Sequence, residues 1–299
     1  MNRRNNIIVT VATLLVGLLA NPCAAIAQHA YSSPEAAAEA FTDALATSDE
    51  IAMGKVLGND WRRFVPTEGI GRDDVNRFLS AWAHSHRIVR GGDDRALLAV
   101  GNEDWTLPIP LIKSGEGWRF DPRGGVDEMR TRRIGRNELH AMQSALAYYD
   151  AQKEYARLDR DSDSVLQYAQ KFVSTPGKHD GLYWTVNEGE AQSPLGPLFA
   201  STEAKTGQGY HGYRYKILKG QGGAAPGGAY SYLIKGRMVS GFGLVAWPVR
   251  YGDTGVMSFL LSHDGQLYQK DLGPNSAAIA GAMTSFDPDA SWKKVDDAI

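Results

Sequence analysis

The chain has 299 residues, a formal net charge of −2, 43% hydrophobic residues and 22% charged residues. This composition is typical of a globular protein and excludes a disordered or fibrous one. The mildly acidic balance gives no reason to expect nucleic acid as a partner. The length allows one large domain or two of ordinary size.

The N-terminus has the three parts of a secretory signal peptide. Arg3-Arg4 forms a positive start, Ile7–Ala20 is an uncharged apolar run, and Ala25-Ile26-Ala27 has the small-x-small pattern of a cleavage site. We therefore predict a signal peptide over residues 1–27 and a periplasmic or secreted protein without a membrane anchor after cleavage. The only cysteine, Cys23, lies inside this segment, so no disulfide is expected in the mature chain.

Residues 28–130 have the pattern of a small α+β domain. Apolar stripes at helical spacing after Ser33 and after Asp73 predict two helices. Short strands separated by glycine-rich turns follow from Ile88 onwards. Helices followed by an antiparallel sheet suggest a curved sheet wrapped around a helix, as in NTF-like and cystatin-like folds.

Residues 131–299 are predicted to form a second α+β domain, with a long helix on an antiparallel meander. Asn137 is placed to cap the long helix, and Val165–Phe172 has the spacing of a shorter one. Two continuous apolar runs, Phe242–Trp247 and Val256–Leu261, predict strands that are buried on both faces beneath the long helix.

An ordered series of short motifs extends over nearly the whole chain after the signal peptide. The motifs are Arg132-Arg133-Ile134-Gly135-Arg136-Asn137-Glu138, Ala151-Gln152-Lys153-Glu154-Tyr155, Ser174-Thr175-Pro176-Gly177-Lys178, Asp180-Gly181-Leu182-Tyr183-Trp184, Ser193-Pro194-Leu195-Gly196-Pro197, Ala246-Trp247-Pro248, Tyr251-Gly252 and Lys270-Asp271-Leu272-Gly273. In this order they resemble the bacterial domain-of-unknown-function family 2950. The resemblance implies an exported protein and supplies no catalytic residues.

A second likeness lies within the C-terminal part. Asn137-Glu138, Ala151-Gln152, Gly212-Tyr213 and Ala246-x-Pro248 are similar to motifs of pseudopilins and type IV pilin-like globular domains. This similarity implies a helix packed on an antiparallel sheet. Arginines precede the helix where a pilin has an apolar segment, so the fibre is not implied.

One acidic segment resembles part of a calcium-binding loop. Asp159, Asp161 and Asp163 occupy its first, third and fifth positions, where carboxylate oxygens converge on the ion. Ser164 and Gln170 stand where such a loop needs glycine and a bidentate glutamate. We therefore favour a solvated linker, with calcium as the alternative and no other cofactor expected.

The segment Lys178–Trp184 is the main candidate for a ligand site, together with residues near Tyr210. Loops that combine glycine, aromatic and titratable residues can stack on sugars or peptides and hold polar groups. The alternative is that the aromatic side chains cover the core. The candidate ligand- or partner-binding residues are His179, Asp180, Tyr183, Trp184, His211 and Tyr213.

These patterns favour a non-catalytic cell-envelope module that binds a protein or a glycan. One alternative is an envelope hydrolase with a His/Asp site at Lys178–Trp184. Another is an accessory protein of a pilus or secretion system. The sequence contains no Gly-x-Ser-x-Gly or His-Glu-x-x-His motif, and it leaves the oligomeric state open.

Overall fold

The computed structural model describes residues 28–65, 67, 70–103, 105–160, 163–186, 192–197 and 209–296. The predicted signal peptide lies outside the described residues. The chain divides into two compact units, one ending at Gly124 and the other beginning at Gly125. Both contain helices and antiparallel strands, which confirms the predicted α+β class.

The first unit places three helices before a four-stranded antiparallel sheet of order β1-β2-β3-β4. Its elements are α1 (Pro34–Ala46), α2 (Glu50–Leu57), α3 (Arg72–His84), β1 (His86–Arg90), β2 (Arg95–Val100), β3 (Leu111–Ser114) and β4 (Gly117–Phe120). The helix-before-sheet order is the predicted one. The NTF-like or cystatin-like assignment stays a prediction.

Helix α1 begins and packs as its sequence indicates. The Ser33 hydroxyl accepts a hydrogen bond from the Ala36 amide at 3.1 Å, and Pro34 occupies the first turn, where its missing N–H costs nothing. On the buried face, the Phe41 ring lies 5.9 Å from Phe78 of α3 and 5.3 Å from Phe120 of β4. Aromatic contacts therefore join α1 to α3 and to the sheet.

The second unit packs a long helix on a five-stranded antiparallel sheet of order β13-β12-β11-β10-β5. Two small two-stranded sheets, β6-β7 and β8-β9, are inserted between β5 and β10. The elements are α4 (Val126–Tyr155), β5 (Tyr213–Leu218), β6 (Gly220–Gln221), β7 (Tyr230–Ser231), β8 (Leu233–Ile234), β9 (Arg237–Met238), β10 (Gly243–Pro248), β11 (Met257–Ser262), β12 (Leu267–Asp271), α5 (Ser276–Ala282) and β13 (Lys293–Lys294).

The two apolar runs form the central strands β10 and β11, as predicted. All six residues of β10 are buried. One face of the strand pair joins the core beneath α4, through residues such as Leu244 and Phe259. The opposite face packs Val245 and Leu260 against Ala280 of α5, a helix that the sequence analysis did not predict.

The predicted start of the long helix was wrong. Helix α4 begins eleven residues before Asn137, which therefore lies in its interior and caps nothing. Asp127 and Glu128 occupy the first turn, where the helix dipole favours negative charge. They pair with Arg130 and Arg132 at 2.6 Å, one helical turn further on. These local ion pairs stabilise the helix at its N-terminal end. The segment was not predicted to be helical because it is mostly polar and has no apolar stripe.

The short helix predicted over Val165–Phe172 is also wrong, because this segment pairs with other parts of the chain. The Tyr168 amide donates to the carbonyl of Met238 at 2.8 Å. The fully buried side chain of Gln152 accepts from the Ala169 amide and donates to the Ala169 carbonyl, both at 2.8 Å. These bonds satisfy the backbone in an extended conformation.

Candidate functional site

The segment before Trp184 forms a closed loop whose two ends run side by side. The Ser174 amide donates to the carbonyl of Tyr183, and the Tyr183 amide donates to that of Phe172, both at 2.8 Å. Gly181 makes this close approach feasible, since a Cβ there would lie 2.7 Å from the Ser174 nitrogen. The ends of the loop are therefore held together by backbone contacts.

The tip of the loop is a tight turn over Thr175–Lys178. The Lys178 amide donates to the carbonyl of Thr175 at 2.9 Å. Pro176 takes the second position, and Gly177 takes the third with φ at 77°. Proline followed by glycine with positive φ is the arrangement of a type II turn. The turn fixes the backbone at Lys178 and His179, and the side chains of both residues are exposed.

Asp180 clamps the loop through both of its carboxylate oxygens. Oδ1 accepts from the Thr175 amide at 2.7 Å, and Oδ2 accepts from the Thr175 hydroxyl at 2.9 Å and from the Lys171 Nζ at 2.7 Å. Burial raises the pKa of Asp180, but the bonds from Lys171 and Thr175 outweigh it and lower the pKa to about 2. Asp180 is therefore ionised at neutral pH and cannot act as a proton donor there.

Trp184 lies beneath the loop and is only 5% exposed. The His179 ring stacks on it at a centroid distance of 4.4 Å. The Arg160 guanidinium lies 5.1 Å from the Trp184 ring centroid and 5.5 Å from that of Tyr155. The Tyr155 hydroxyl donates to the His179 carbonyl at 2.8 Å, which fixes the loop to the end of α4. Tyr183 is half-buried against the same core.

Two surface depressions meet at Asp180. One, of about 310 Å³, is lined by Arg160, Gly177, Lys178, His179 and Asp180. The other, of about 240 Å³, is lined by Tyr155, Gln167, Tyr168, Ala169, Gln170, Lys171, Asp180 and Lys219. Sequence reasoning missed the cations Arg160, Lys171 and Lys219. The only local signal was that Arg160 lies within the acidic segment interpreted as a linker.

His211 lies elsewhere in the second unit, at the tip of a two-residue hairpin. Tyr210 and Tyr213 exchange backbone hydrogen bonds of 2.8 and 3.0 Å. His211 and Gly212 between them have φ of 49° and 74°, as a type I′ turn requires. A side chain at Gly212 would also meet Asn137 of α4 at 2.8 Å. The hairpin tip is therefore fitted closely against the long helix.

The hairpin brings His211 against a second histidine that sequence reasoning missed. Its ring centroid lies 4.3 Å from that of His140 and 4.2 Å from that of Tyr210. Burial, then His140 and Arg136, lower the pKa of His211. Tyr213 is fully buried, and its hydroxyl donates to the Met257 carbonyl at 2.8 Å.

The structure therefore brings together His179, Asp180 and Trp184 but not His211. His140, which contacts His211, and Tyr155, which contacts His179, lie fifteen positions apart on α4. At about 1.5 Å of rise per residue, this separation is roughly 22 Å along the helix. His179 and His211 therefore lie near different parts of this helix.

The acidic segment is held by its own protein contacts. Asp159 accepts from the backbone amides of Asp163 at 3.3 Å and Ser164 at 2.7 Å, while Asp163 forms an ion pair with Arg237 at 2.5 Å. Asp161 lies outside the described residues. In the part of the chain that the structure describes, no three His, Cys, Asp or Glu side chains are grouped to hold a metal ion. The calcium alternative stays a prediction.

Comparison with known proteins gives one match. The model of a family described as "Protein of unknown function (DUF2950)" matches residues 28–295. No curated protein and no solved structure matches the chain, and the pilin-like similarity stays a prediction. Among the described residues, no helix has the length and apolar character needed to cross a membrane.

Proposed function

The chain belongs to the family of proteins of unknown function DUF2950, and from its geometry we propose that it is an exported, non-catalytic module of the cell envelope. It binds a glycan or protein partner at the surface around Asp180. The sequence analysis already favoured a non-catalytic binding module, and the matched family has no known function that would contradict it. The proposal adds a location for the binding surface, namely the loop Thr175–Lys178 and its neighbours.

The observation that carries the proposal is the clamped loop. A tight turn, two carboxylate oxygens and the Tyr155 hydroxyl all hold the backbone that bears Lys178 and His179. Exposed polar groups on a loop fixed to a rigid core are typical of binding sites, because little conformational entropy is lost when the ligand arrives. The depressions on both sides of Asp180 supply concave surface for that ligand.

The hydrolase alternative fits this geometry less well. General acid–base catalysis needs a group that can gain or lose a proton near the working pH and lies within hydrogen-bond reach of a partner. Asp180 uses its oxygens to hold the loop, and its low pKa keeps it ionised. His211 packs on His140, roughly 22 Å along α4 from the residue that holds His179.

The test is a sedimentation assay of the mature protein with insoluble peptidoglycan and, in parallel, with envelope proteins immobilised from detergent extracts. We expect retention by one of these, and at least a tenfold loss of retention for Lys178→Ala combined with His179→Ala. Lys293→Ala is the matched control, since Lys293 is an exposed lysine in β13 of the same unit. Equal retention of all variants, or release of soluble glycan fragments over time, would contradict the proposal.

A further inference from the structure

We infer that the depression lined by Arg160, Lys178 and His179 binds a carboxylate or phosphate group of an acidic polysaccharide. This inference rests on the proposed function and names the ligand class of that same site. It follows from the charge, the ordered cationic side chains and the size of the depression.

Among the described residues that line the two depressions, cations outnumber anions. Arg160 and Lys178 line one depression, and Lys171 and Lys219 line the other. In the part of the chain that the structure describes, Asp180 is the only carboxylate that lines either depression, and it is already paired with Lys171 at 2.7 Å. The excess positive charge therefore favours an anionic group at this surface.

Arg160 is held in position without a carboxylate partner among the described residues. Its guanidinium lies over the rings of Tyr155 and Trp184, which orients it by cation–π contacts. Its Nε atom is buried and has no hydrogen-bond acceptor in the described part of the chain. A guanidinium that is held over two rings in this way can pair with an oxyanion through charge-assisted hydrogen bonds.

The side chains of Lys178 and His179 add hydrogen-bond donors, and the backbone that carries them is already ordered. The Lys178 amide closes the turn at 2.9 Å, and the His179 carbonyl accepts from Tyr155 at 2.8 Å. The His179 ring is further supported by Trp184. Since the three groups line one depression, they can act on a single ligand group, and Arg160 contributes the planar fork that suits carboxylate and phosphate.

The size and lining of the depressions favour a saccharide over a protein partner. The volume of about 310 Å³ lies at the lower end of the range for ligand sites and that of about 240 Å³ lies just below it. Such volumes suit one charged group and an adjoining sugar ring. Gln167 and Gln170 line the neighbouring depression. Protein interfaces instead centre on an apolar core, typically within roughly 800 Å² per partner.

The experiment is a titration of the mature protein with four defined polymers: polygalacturonate, a phosphate-bearing phosphomannan, neutral dextran and poly-L-glutamate. We expect binding to polygalacturonate or phosphomannan and none to dextran, with the better of the first two identifying the anionic group. Arg160→Gln and Lys178→Gln should each weaken binding at least tenfold, whereas Lys293→Gln should not. Binding should also weaken between about 0.1 and 0.5 M salt, because screening reduces charge attraction.

The outcomes separate this inference from the proposed function. Tighter binding to poly-L-glutamate, or equal binding to dextran, overturns the acidic-polysaccharide inference while a binding module remains. Binding to none of the four polymers, with retention by peptidoglycan or envelope proteins, also overturns only the inference. Failure of every binding assay overturns both. Lys178 is exposed, so Lys178→Gln keeps the test decisive if Arg160→Gln disturbs the packing on Trp184.

Discussion

At the scale of single residues, Trp184 lies beneath the loop that carries Lys178 and His179. It is 5% exposed and is covered by His179 and Arg160. Trp184→Ala should lower the free energy of unfolding by about 3–5 kcal/mol, because it leaves a large cavity. Chemical denaturation followed by circular dichroism measures this loss.

A more conservative variant of the same residue separates packing from hydrogen bonding. The Trp184 indole N–H has no acceptor in the described part of the chain. Trp184→Phe should therefore cost about 1–2 kcal/mol, from lost volume alone. If the free energy of unfolding of Trp184→Ala lies within about 1 kcal/mol of the wild-type value, the ring is not packed as described.

Asp180 predicts a pH dependence of stability. Its pKa is lowered from 3.8 to about 2 in the folded protein, so folding favours the ionised form. This contribution is complete above about pH 4 and is lost as the pH falls from about 4 to 2. Asp180→Asn should cost about 1 kcal/mol at pH 7, a value reduced for solvent screening because Lys171 is half-exposed.

Thermal melts between pH 2 and 7 test this expectation. The difference between wild type and Asp180→Asn should shrink towards pH 2, because the wild-type carboxylate becomes protonated there. Asp150→Asn, which removes a carboxylate at an exposed position of α4 outside the loop, serves as the control. A constant difference across the whole pH range would contradict the assignment of the clamp to an ionised carboxylate.

At the scale of elements, the His140–His211 contact joins α4 to the hairpin before β5. The pKa of His211 is lowered, so the folded state disfavours its protonation. The resulting stabilisation is complete at pH values above the ordinary histidine pKa of about 6.5, and it decreases as the pH falls below that pKa. His211→Asn tolerates the positive φ and removes the titrating group.

The expected result is a melting temperature that depends less on pH between about 5 and 7 in His211→Asn than in wild type. His84→Asn, an exposed position at the end of α3, provides the comparison for a histidine outside this contact. Identical pH profiles of His211→Asn and wild type would contradict the expectation that folding disfavours protonation of His211.

Gln152 joins two further elements, α4 and the extended segment around Ala169. Gln152→Leu keeps a similar volume but leaves the amide and carbonyl of Ala169 without their partner. We expect a loss of about 2–4 kcal/mol, because both backbone groups remain buried. Hydrogen exchange at the Ala169 amide should accelerate at least tenfold, and unchanged protection would show that the amide clamp is dispensable.

For the whole molecule, the proposed function depends on export. Protein secreted by a bacterial host should begin near Gln28, because Ala25-Ile26-Ala27 ends the predicted signal peptide. N-terminal sequencing measures this directly, and Ala27→Arg, which disrupts the cleavage pattern, should block processing. Intact protein starting at Met1 in the soluble cytoplasmic fraction would contradict the prediction of export.

The sequence by itself determined the family, the α+β class and the elements whose residues are patterned by burial. Helix α1 was predictable because its apolar periodicity indicates which face packs against the core. Strands β10 and β11 were predictable because their continuous apolar runs indicate burial on both faces. The ordered motifs were sufficient to identify the family that the match over residues 28–295 confirms.

Only the tertiary structure decided where the functional groups meet. The extended course of Val165–Phe172 depends on Gln152 and Met238, which are distant in sequence. Arg160 lies near the loop at Asp180 because its guanidinium packs on the rings of Tyr155 and Trp184. His211 instead contacts His140, at a different part of α4. Local patterns cannot encode such contacts, since their free energy arises between segments that only folding brings together.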